Sequence, residues 1–465
     1  MKRQANDPDL SKRQMKKLKR TENKVTDPVE KVAGFYKLSY EDQLRKKTDT
    51  VKSAVRGLTK KMISTLPKFT KDKVLLRCKN SEGLICPVEI CLPCDSHNSG
   101  GYRNKCEFTI GYNDENLLVV GFRGSTFADK PNFVLDLSGD FGKNMAKFLV
   151  PMEMIECANL FRDIIRKFPE IKAFDEKTFS GVWKTMLVRW SEKLNCMIVA
   201  LEISPGSELP KELIGELTSK LAGLKFLKSC TISQSANRGQ KPESTENSTI
   251  ILFGNQLWQE QLFDYRFEIS SEAFFQVNTK QAEILYSMIK NQLQPDSNKK
   301  TLLLDLCCGV GTIGISIASD FDKIIGLEIV PEAIENAKKN AELNGLKNIE
   351  YWTGKAEETM PKALKKFQDQ NQEGDWHVSA VLDPPRNGMK EGIICAIRLN
   401  PKIERLVYVS CDVTANGAQQ NFLDLCRSES KRIFGTPFKL TKVLPVDMFP
   451  NTPHVETILV FDRKM

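Results

Sequence analysis

The sequence predicts an α/β protein: a mostly parallel sheet with helices on both faces over residues 269–465, preceded by an α+β region. Three observations lead there. From about residue 272, apolar runs alternate with helical stretches in the order TLLLDL, GISIASDF, KIIGLEI, AIENAKKNAELNG, SAVLDPP and RLVYVSC. Strand and helix in alternation is the pattern of crossover-connected parallel strands. The strand runs are almost continuously apolar, as strands buried on both faces must be. Before them the strand-like runs come in pairs with short polar breaks, which is hairpin grammar.

Taken in order, residues 1–30 read as a basic disordered tail, Lys-rich (KRQMKKLKR, Lys12 to Arg20) and almost without aromatic residues. Such a stretch suits an RNA-binding arm, a nuclear import signal or a solvated tail. Residues 31–70 read as a helical segment, with Leu44, Val51, Val55, Leu58 and Met62 at mixed three- and four-residue spacings. Residues 71–268 form the α+β region. There CEFTIGYN and LLVVGFRG predict a hairpin around Asn113 to Glu115. MLVRW and MIVALEI predict a second pair across SEKLN, and MEMIECANLFRDIIRKF (Met152 to Phe168) an amphipathic helix. Ser233 to Ser248 is polar and loop-like, and no internal repeat is visible.

Bulk properties narrow the function. A chain of 465 residues is expected to fold as two or three domains. No apolar stretch reaches membrane-spanning length, and the start, MKRQANDPDL, lacks the apolar run of a secretory signal. A cytoplasmic or nuclear location, or both, is expected, with no membrane contact. The formal charge of +9 favours an anionic partner, nucleic acid first. Thirteen cysteines are scattered along the chain, most of them expected free and buried. Three histidines, far apart, leave too few for a Ser-His-Asp triad or a His-rich zinc site. No metal is expected, and no obligate protein partner is evident.

Four motifs carry chemistry. In LLLDLCCGVGTIGISIA a buried strand ends at Asp305 and runs into Gly309, Gly311 and Gly314. Glycines there let the backbone approach a ligand at the carboxyl end of the strand. Asp305 disfavours a dinucleotide pyrophosphate and favours a cationic, methionine-like ligand. Glu328 follows 23 residues later at the end of KIIGLEI, where a carboxylate can accept ribose hydroxyls. AVLDPPRNG ends a strand at Asp383 and stiffens the following turn with two prolines, which could wall a flat base pocket. RLVYVSC ends a strand at Cys411. Asp305, Glu328, Asp383 and Cys411 thus all fall at strand ends, where open parallel sheets gather their functional groups. Finally, Glu456 lies just before the apolar run ILVF, a candidate base.

Together these residues suit methylation of carbon 5 of a pyrimidine. That carbon is a poor nucleophile until a thiolate adds to carbon 6 and makes an enolate. Release of the thiol then needs the carbon-5 proton removed, which a carboxylate can do. Thiol, methyl-donor site and carboxylate form a complete set without metal or histidine. A base in folded RNA must also leave its stack to reach them.

The chain resembles the RNA uracil-5-methyltransferases, in the stretches GYRNKCEFTIG, SSEAFFQVNT, LLLDLCCGVGTIG, IGLEIVPEAIENAKKNAELN, VLDPPRNG, YVSCDV with NFLDLC, and FPNTPHVE. The resemblance spans roughly Gly101 to Arg463. It implies a class I, Rossmann-like methyltransferase domain over residues 269–465 that uses S-adenosyl-L-methionine, and an RNA-binding role for residues 71–268. It implies that Cys411 is the nucleophile and Glu456 the proton acceptor. It further implies that Gln276, Asp305, Cys307, Gly309, Gly311, Glu328 and Asp383 form the S-adenosylmethionine site; at position 307 many bacterial relatives carry an aromatic ring. GYRNKCEF resembles the family's RNA-contacting strand, with Arg103 and Lys105 as phosphate contacts. The expected partner is tRNA, and the expected product 5-methyluridine in the T-loop. Two alternatives stay open: an RNA cytosine-C5 methyltransferase, and a tRNA-binding or tRNA-folding protein with a secondary or vestigial methyltransferase site.

Two departures from relatives are expected. Some members carry an N-terminal RNA-recognition domain, but no aromatic RNP-like strand is found in the roughly 100 residues before GYRN. Some bacterial relatives hold an iron–sulfur cluster. Cys86, Cys91 and Cys94 sit too close to GYRN to match those ligands, so neither a cluster nor zinc is expected.

Overall fold

The structure, a computed structural model, describes residues 27–64, 81–95, 100–124, 132–235, 249–271, 273–293, 298–371 and 375–463. Most of the basic tail and of the polar stretch 233–248 lies outside the described residues. The end of the stretch read as disordered differs from that expectation. Asp27 caps a short helix α1 (Pro28–Val32) by accepting from the Val29 amide, with Pro28 in the first turn and Val29 buried. Helix α2 (Tyr40–Ser64) follows, burying Val51, Val55, Leu58 and Met62 along one face.

The first sheet is mostly antiparallel, in the order β3-β2-β1-β4-β5-β6-β7. Its strands are β1 (Lys105–Tyr112), β2 (Leu118–Arg123), β3 (Val134–Asp136), β4 (Trp183–Ser191), β5 (Cys196–Ile203), β6 (Leu227–Gln234) and β7 (Thr249–Phe253). Both expected hairpins form: β1 pairs with β2 and β4 with β5, antiparallel. Helices α3 (Gly139–Phe148) and α4 (Met152–Ile165) lie between β3 and β4, and α5 (Lys211–Ala222) makes the one parallel crossover, β5 to β6. Their apolar faces share one core, with Phe108, Phe161, Trp183, Val199 and Leu217 fully or almost fully buried. A hairpin of β8 (Leu257–Leu262) and β9 (Tyr265–Ser270) then leads into α6 (Thr279–Leu293).

The second sheet has the order β12-β11-β10-β13-β14-β16-β15. Five strands are parallel: β10 (Lys300–Leu306), β11 (Lys323–Glu328), β12 (Ile349–Thr353), β13 (Trp376–Leu382) and β14 (Ile403–Ser410). Their crossovers run through α7 (Thr312–Ser316), α8 (Pro331–Leu343), α9 (Ala356–Gln370) and α10 (Glu391–Leu399). After α11 (Asn416–Cys426) the chain adds β15 (Lys439–Val446) and β16 (Glu456–Asp462), and β16 slots antiparallel between β14 and β15. Period-two alternation divides β10 between two cores. Leu302, Leu304 and Leu306 join one with α2, α9, α10 and α11. Leu303 faces the other, with Tyr286 and Ile289 of α6 and with Trp258 and Phe267 of the hairpin.

The two sheets meet along one seam. Asn104, just before β1, donates its amide to Val277 O at 2.7 Å and its side-chain Nδ2 to Gln276 O and Thr279 Oγ1, each at 2.8 Å. Arg189 of β4, fully buried, donates to the carbonyls of Ser271 and Ala273 and stacks over Trp258 at 5.1 Å. Residues 271, 273, 276, 277 and 279 are therefore held from the first sheet as the chain enters α6. Among the described residues, no helix is long and apolar enough to cross a membrane.

Candidate active site

The carboxyl ends of adjacent parallel strands gather the acids and the thiol. Asp305 is the penultimate residue of β10 and Glu328 the last of β11, while Asp383 and Cys411 follow directly on β13 and β14. Glu456 arrives by a different route. It opens β16, whose Thr457 pairs with Ser410 of β14. One step beyond that pair stand Glu456 on one strand and Cys411 on the other. Antiparallel partners lie roughly 4.5–5.5 Å apart, so a side chain from each can share one pocket.

The glycine turn after β10 is built on left-handed backbone: Cys307 has φ +63°, Gly309 +55° and Gly311 +86°. At Gly311 a Cβ would stand 2.5 Å from Tyr351 Oη, so only glycine fits. At Gly309 a Cβ would meet nothing within 4 Å, which leaves a cradle open beside the backbone. The Gly309 amide donates to Glu328 Oε2 at 3.2 Å, and the amides of Ile329 and Val330 to Glu328 Oε1 at 2.8 and 3.0 Å. Glu328 is thereby oriented before any ligand arrives, with acceptor capacity left on Oε2.

Asp305 is buried and its Oδ2 accepts from the Gly314 amide at 3.0 Å, whereas its Oδ1 has no partner. Burial pushes its carboxyl up to about 7, the same direction and value as Asp383. An orphaned carboxylate oxygen beside an open glycine cradle is a place for a cation. The donor set therefore fits S-adenosylmethionine, whose sulfonium and ammonium are cationic and whose ribose offers hydroxyls to Glu328.

At the chemical end, Cys411 is partly buried and its thiol is pushed up to about 11, first by burial and then by Glu456, with Arg386 pulling the other way. Glu456 is 2% exposed, and burial followed by the charge of Asp383 holds its carboxyl well above the usual range, again opposed by Arg386. Arg386 itself is exposed, two residues beyond the Asp383–Pro384 step. Tyr286 of α6 donates to Thr312 Oγ1 at 3.2 Å, and its hydroxyl is held up by burial and by Asp383, Asp305 and Glu456.

The structure brings Asp305, Cys307, Gly309, Gly311, Glu328, Asp383, Cys411 and Glu456 to one edge of the sheet. Cys307 turns its sulfur to Met389 Sδ at 3.8 Å, with its thiol pushed up to about 12 by burial. Gln276 is buried on the seam, its carbonyl held by Asn104. Arg103 donates from Nε to Lys105 O at 3.2 Å and lines a cleft of about 500 Å³ with Lys147, Trp190, Lys193 and Lys280. Lys105 is the first residue of β1, opposite Arg189. Cys86, Cys91 and Cys94 are buried, with Cys94 Sγ accepting from Asn278 Nδ2 at 3.4 Å. Among the described residues, no three ligand-type side chains converge as a metal site. Sequence reasoning missed Arg386, Tyr286 and Thr312 as parts of this site. Arg386 had a signal: a cation directly after a strand-end D-P-P.

Sheet order, glycine cradle and paired acids define a class I methyltransferase. Comparison with known proteins narrows this. The model of the family tRNA (Uracil-5-)-methyltransferase matches residues 254–464. The human tRNA (uracil-5-)-methyltransferase homolog A is 33% identical over 97% of this chain and 70% of its own length. The human homolog B is 30% identical over 93% of this chain and 83% of its own. The chain belongs to the tRNA (uracil-5-)-methyltransferase family. A similar fold is found in the crystal structure of a Pyrococcus abyssi tRNA (uracil-54, C5)-methyltransferase in complex with S-adenosyl-L-homocysteine. Its TM-score is 0.59 at 21% identity, over 92% of this chain and 84% of that one.

Proposed function

We propose that the protein methylates carbon 5 of a uridine in tRNA, the T-loop uridine, through a covalent adduct between Cys411 and carbon 6. The observation that carries this reading is the β14–β16 register, which sets Cys411 and Glu456 side by side next to Asp383 and the glycine cradle. Glu328 and the cradle of Gly309 and Gly311 would hold S-adenosylmethionine, with Asp305 toward its cationic portion and with Gln276, Cys307 and Asp383 around it. S-adenosylmethionine supplies an electrophilic methyl group when bound.

Cys411 adds to carbon 6 as the thiolate, forming the S–C6 bond and placing the pyrimidine's electron pair on carbon 5 and its carbonyl. Arg386 favours that step because its charge offsets part of what burial and Glu456 cost the thiolate. After carbon 5 has taken the methyl group, Glu456 accepts the carbon-5 proton. The electron pair of the C5–H bond re-forms the ring double bond, and the sulfur leaves carbon 6. Burial makes the Glu456 carboxylate a stronger base than one in water, which suits it to a carbon acid. Arg103 and Lys105 are assigned to the tRNA phosphates, in line with the net charge of +9.

The test uses unmodified tRNA and labelled methyl donor, with the product mapped by nucleoside and fragment analysis. The expected product is 5-methyluridine in the T-loop. Cys411→Ala is expected to form neither product nor adduct. Glu456→Gln is expected to stall as a methylated protein–RNA adduct that survives denaturing electrophoresis. Full activity of Cys411→Ala refutes the covalent route, and normal turnover of Glu456→Gln removes that residue from its role.

A further inference from the structure

Glu456 opens β16, and the residue paired with it on β15 is Val446, so residues 447–455 are the whole connection between the two strands. That connection lacks helix or strand of its own. It is gripped instead from the other end of the chain. Lys47 of α2 is fully buried and donates from Nζ to Asp447 Oδ1 at 2.5 Å and to Phe449 O at 2.9 Å. Tyr40 donates from its hydroxyl to Asp447 Oδ2 at 2.9 Å. Both carboxylate oxygens of Asp447 are thus held by α2, and its amide donates to Leu92 O at 2.9 Å.

Asn451 is held more completely still. Its amide donates to Gln43 Oε1 at 2.8 Å and its Oδ1 accepts from Gln43 Nε2 at 3.1 Å. Its carbonyl accepts from the Phe35 amide at 2.9 Å, and its Nδ2 donates to Phe148 O at 3.2 Å. Every polar group of the residue is partnered, three of them by residues 35–43 and the fourth by the end of α3, which packs with the first sheet. The same residue sits at φ +65°, a left-handed conformation that a non-glycine residue keeps only where its surroundings over-determine it. A buried ion pair between residues 400 apart contributes little net stability, since desolvation offsets much of its attraction. Its worth lies in fixing one geometry.

We infer that Lys47, Gln43 and Asn451 are positioning residues, through which the N-terminal helix sets where Glu456 stands for the proton-removal step. The inference rests on the role of Glu456 proposed above. It gives the chain outside the matched methyltransferase model a part in one chemical step, the release of the thiol. The first sheet's layer enters the same clamp through Phe148 of α3, so RNA seated on that sheet and its helices shares a joint with the base.

The test separates formation of the adduct from its release. The variants are Asn451→Gly, which accommodates the left-handed backbone but loses both side-chain bonds, and Gln43→Ala, which removes its partner. Lys47→Met is a third, although it leaves the Asp447 carboxylate buried without its cation and can unfold the chain. Each variant that melts cooperatively is mixed with tRNA and donor, and adduct and free methylated tRNA are followed by rapid quench. The expected result is adduct formation within twofold of the parent, release slowed at least tenfold, an unchanged KM for the donor and visible adduct on denaturing gels. Glu456→Gln is run alongside. If it accumulates adduct and neither Asn451→Gly nor Gln43→Ala does, the positioning role is wrong and the role of Glu456 stands. If Glu456→Gln accumulates none, both are overturned. Equal slowing of formation and release is also a refutation, because a general loosening of the fold predicts that.

Discussion

The Cys411 thiol is the sharpest point of contact between structure and experiment. Its folded value is about 11, above the ordinary 9.0, with burial the largest cause, Glu456 next, and Arg386 opposing both. At pH 8 only about one thiol in a thousand is then ionised in the free protein, so reactivity should climb tenfold per pH unit up to about 11. Replacing Arg386 by Gln removes the one nearby positive charge named among those causes. An opposite charge close to an ionisable group moves its pKa by roughly 1–3 units, and exposure of the guanidinium puts Arg386 at the low end, about one unit. The assay is the rate of iodoacetamide labelling of the Cys411 peptide, read by mass spectrometry from pH 7 to 11. Peptide resolution keeps the other cysteines out of the measurement. The parent curve should still be rising at pH 10, and the Arg386→Gln curve should lie about tenfold lower throughout. A parent midpoint at or below about 8.5, or curves that superimpose, would refute the electrostatic argument. The same variant should slow adduct formation on tRNA by a similar factor, because the donor does not alter the sign of the missing charge.

Two further outcomes follow from the cradle and from Asp305. Gly309→Ala and Gly311→Ala should behave differently although both replace a left-handed glycine. At Gly309 the new methyl meets open space, so the protein should lose only the roughly 1 kcal/mol that a side chain costs on left-handed backbone, yet bind donor at least tenfold more weakly by calorimetry. At Gly311 the methyl also stands 2.5 Å from Tyr351 Oη, so overpacking should cost about 1–3 kcal/mol on top of the same backbone strain. For Asp305 the folded value of about 7 lies above the unfolded one near 3.9, so the folded state binds the proton more tightly. Its contribution is complete below about pH 4 and is lost as pH rises through about 7. Asp305→Asn should therefore gain on the parent by roughly 2 kcal/mol between pH 5 and 7 in urea titrations, and parallel curves would count against the shift.

Much of the second sheet was legible because its code is local. Apolar runs, glycines with an acid before them and D-P-P each sit within a dozen residues, and strand ends are where such sheets act. Asp305, Glu328, Asp383 and Cys411 could be placed that way. Glu456 could be suspected but not located, since its place depends on β16 inserting antiparallel beside β14, which no short window reveals. Lys47 was hidden for the same reason. On sequence it is one lysine in a helix rich in them, and only the fold brings Asp447, 400 residues on, against it. Asn451 carried only a general sign of its left-handed backbone, an asparagine in the proline-rich turn PNTP, and none of the partners that hold it there. The helix of residues 40–64 was readable, whereas the turn it grips was not.

Cys411 just past the end of β14 and Glu456 at the start of β16 are spaced by a ladder of amides rather than by loops. That makes the separation of thiol and carboxylate a matter of counting. Residues added to the irregular stretch between α11 and β15 change no pairing in the ladder from Ser410–Thr457 to Arg405–Asp462. One residue added inside β16 shifts every pair beyond it and turns each side chain to the opposite face. Length variation in this part of the chain should therefore be free in one place and forbidden a few residues away, and that boundary can be mapped by scanning single-residue insertions for retained adduct formation.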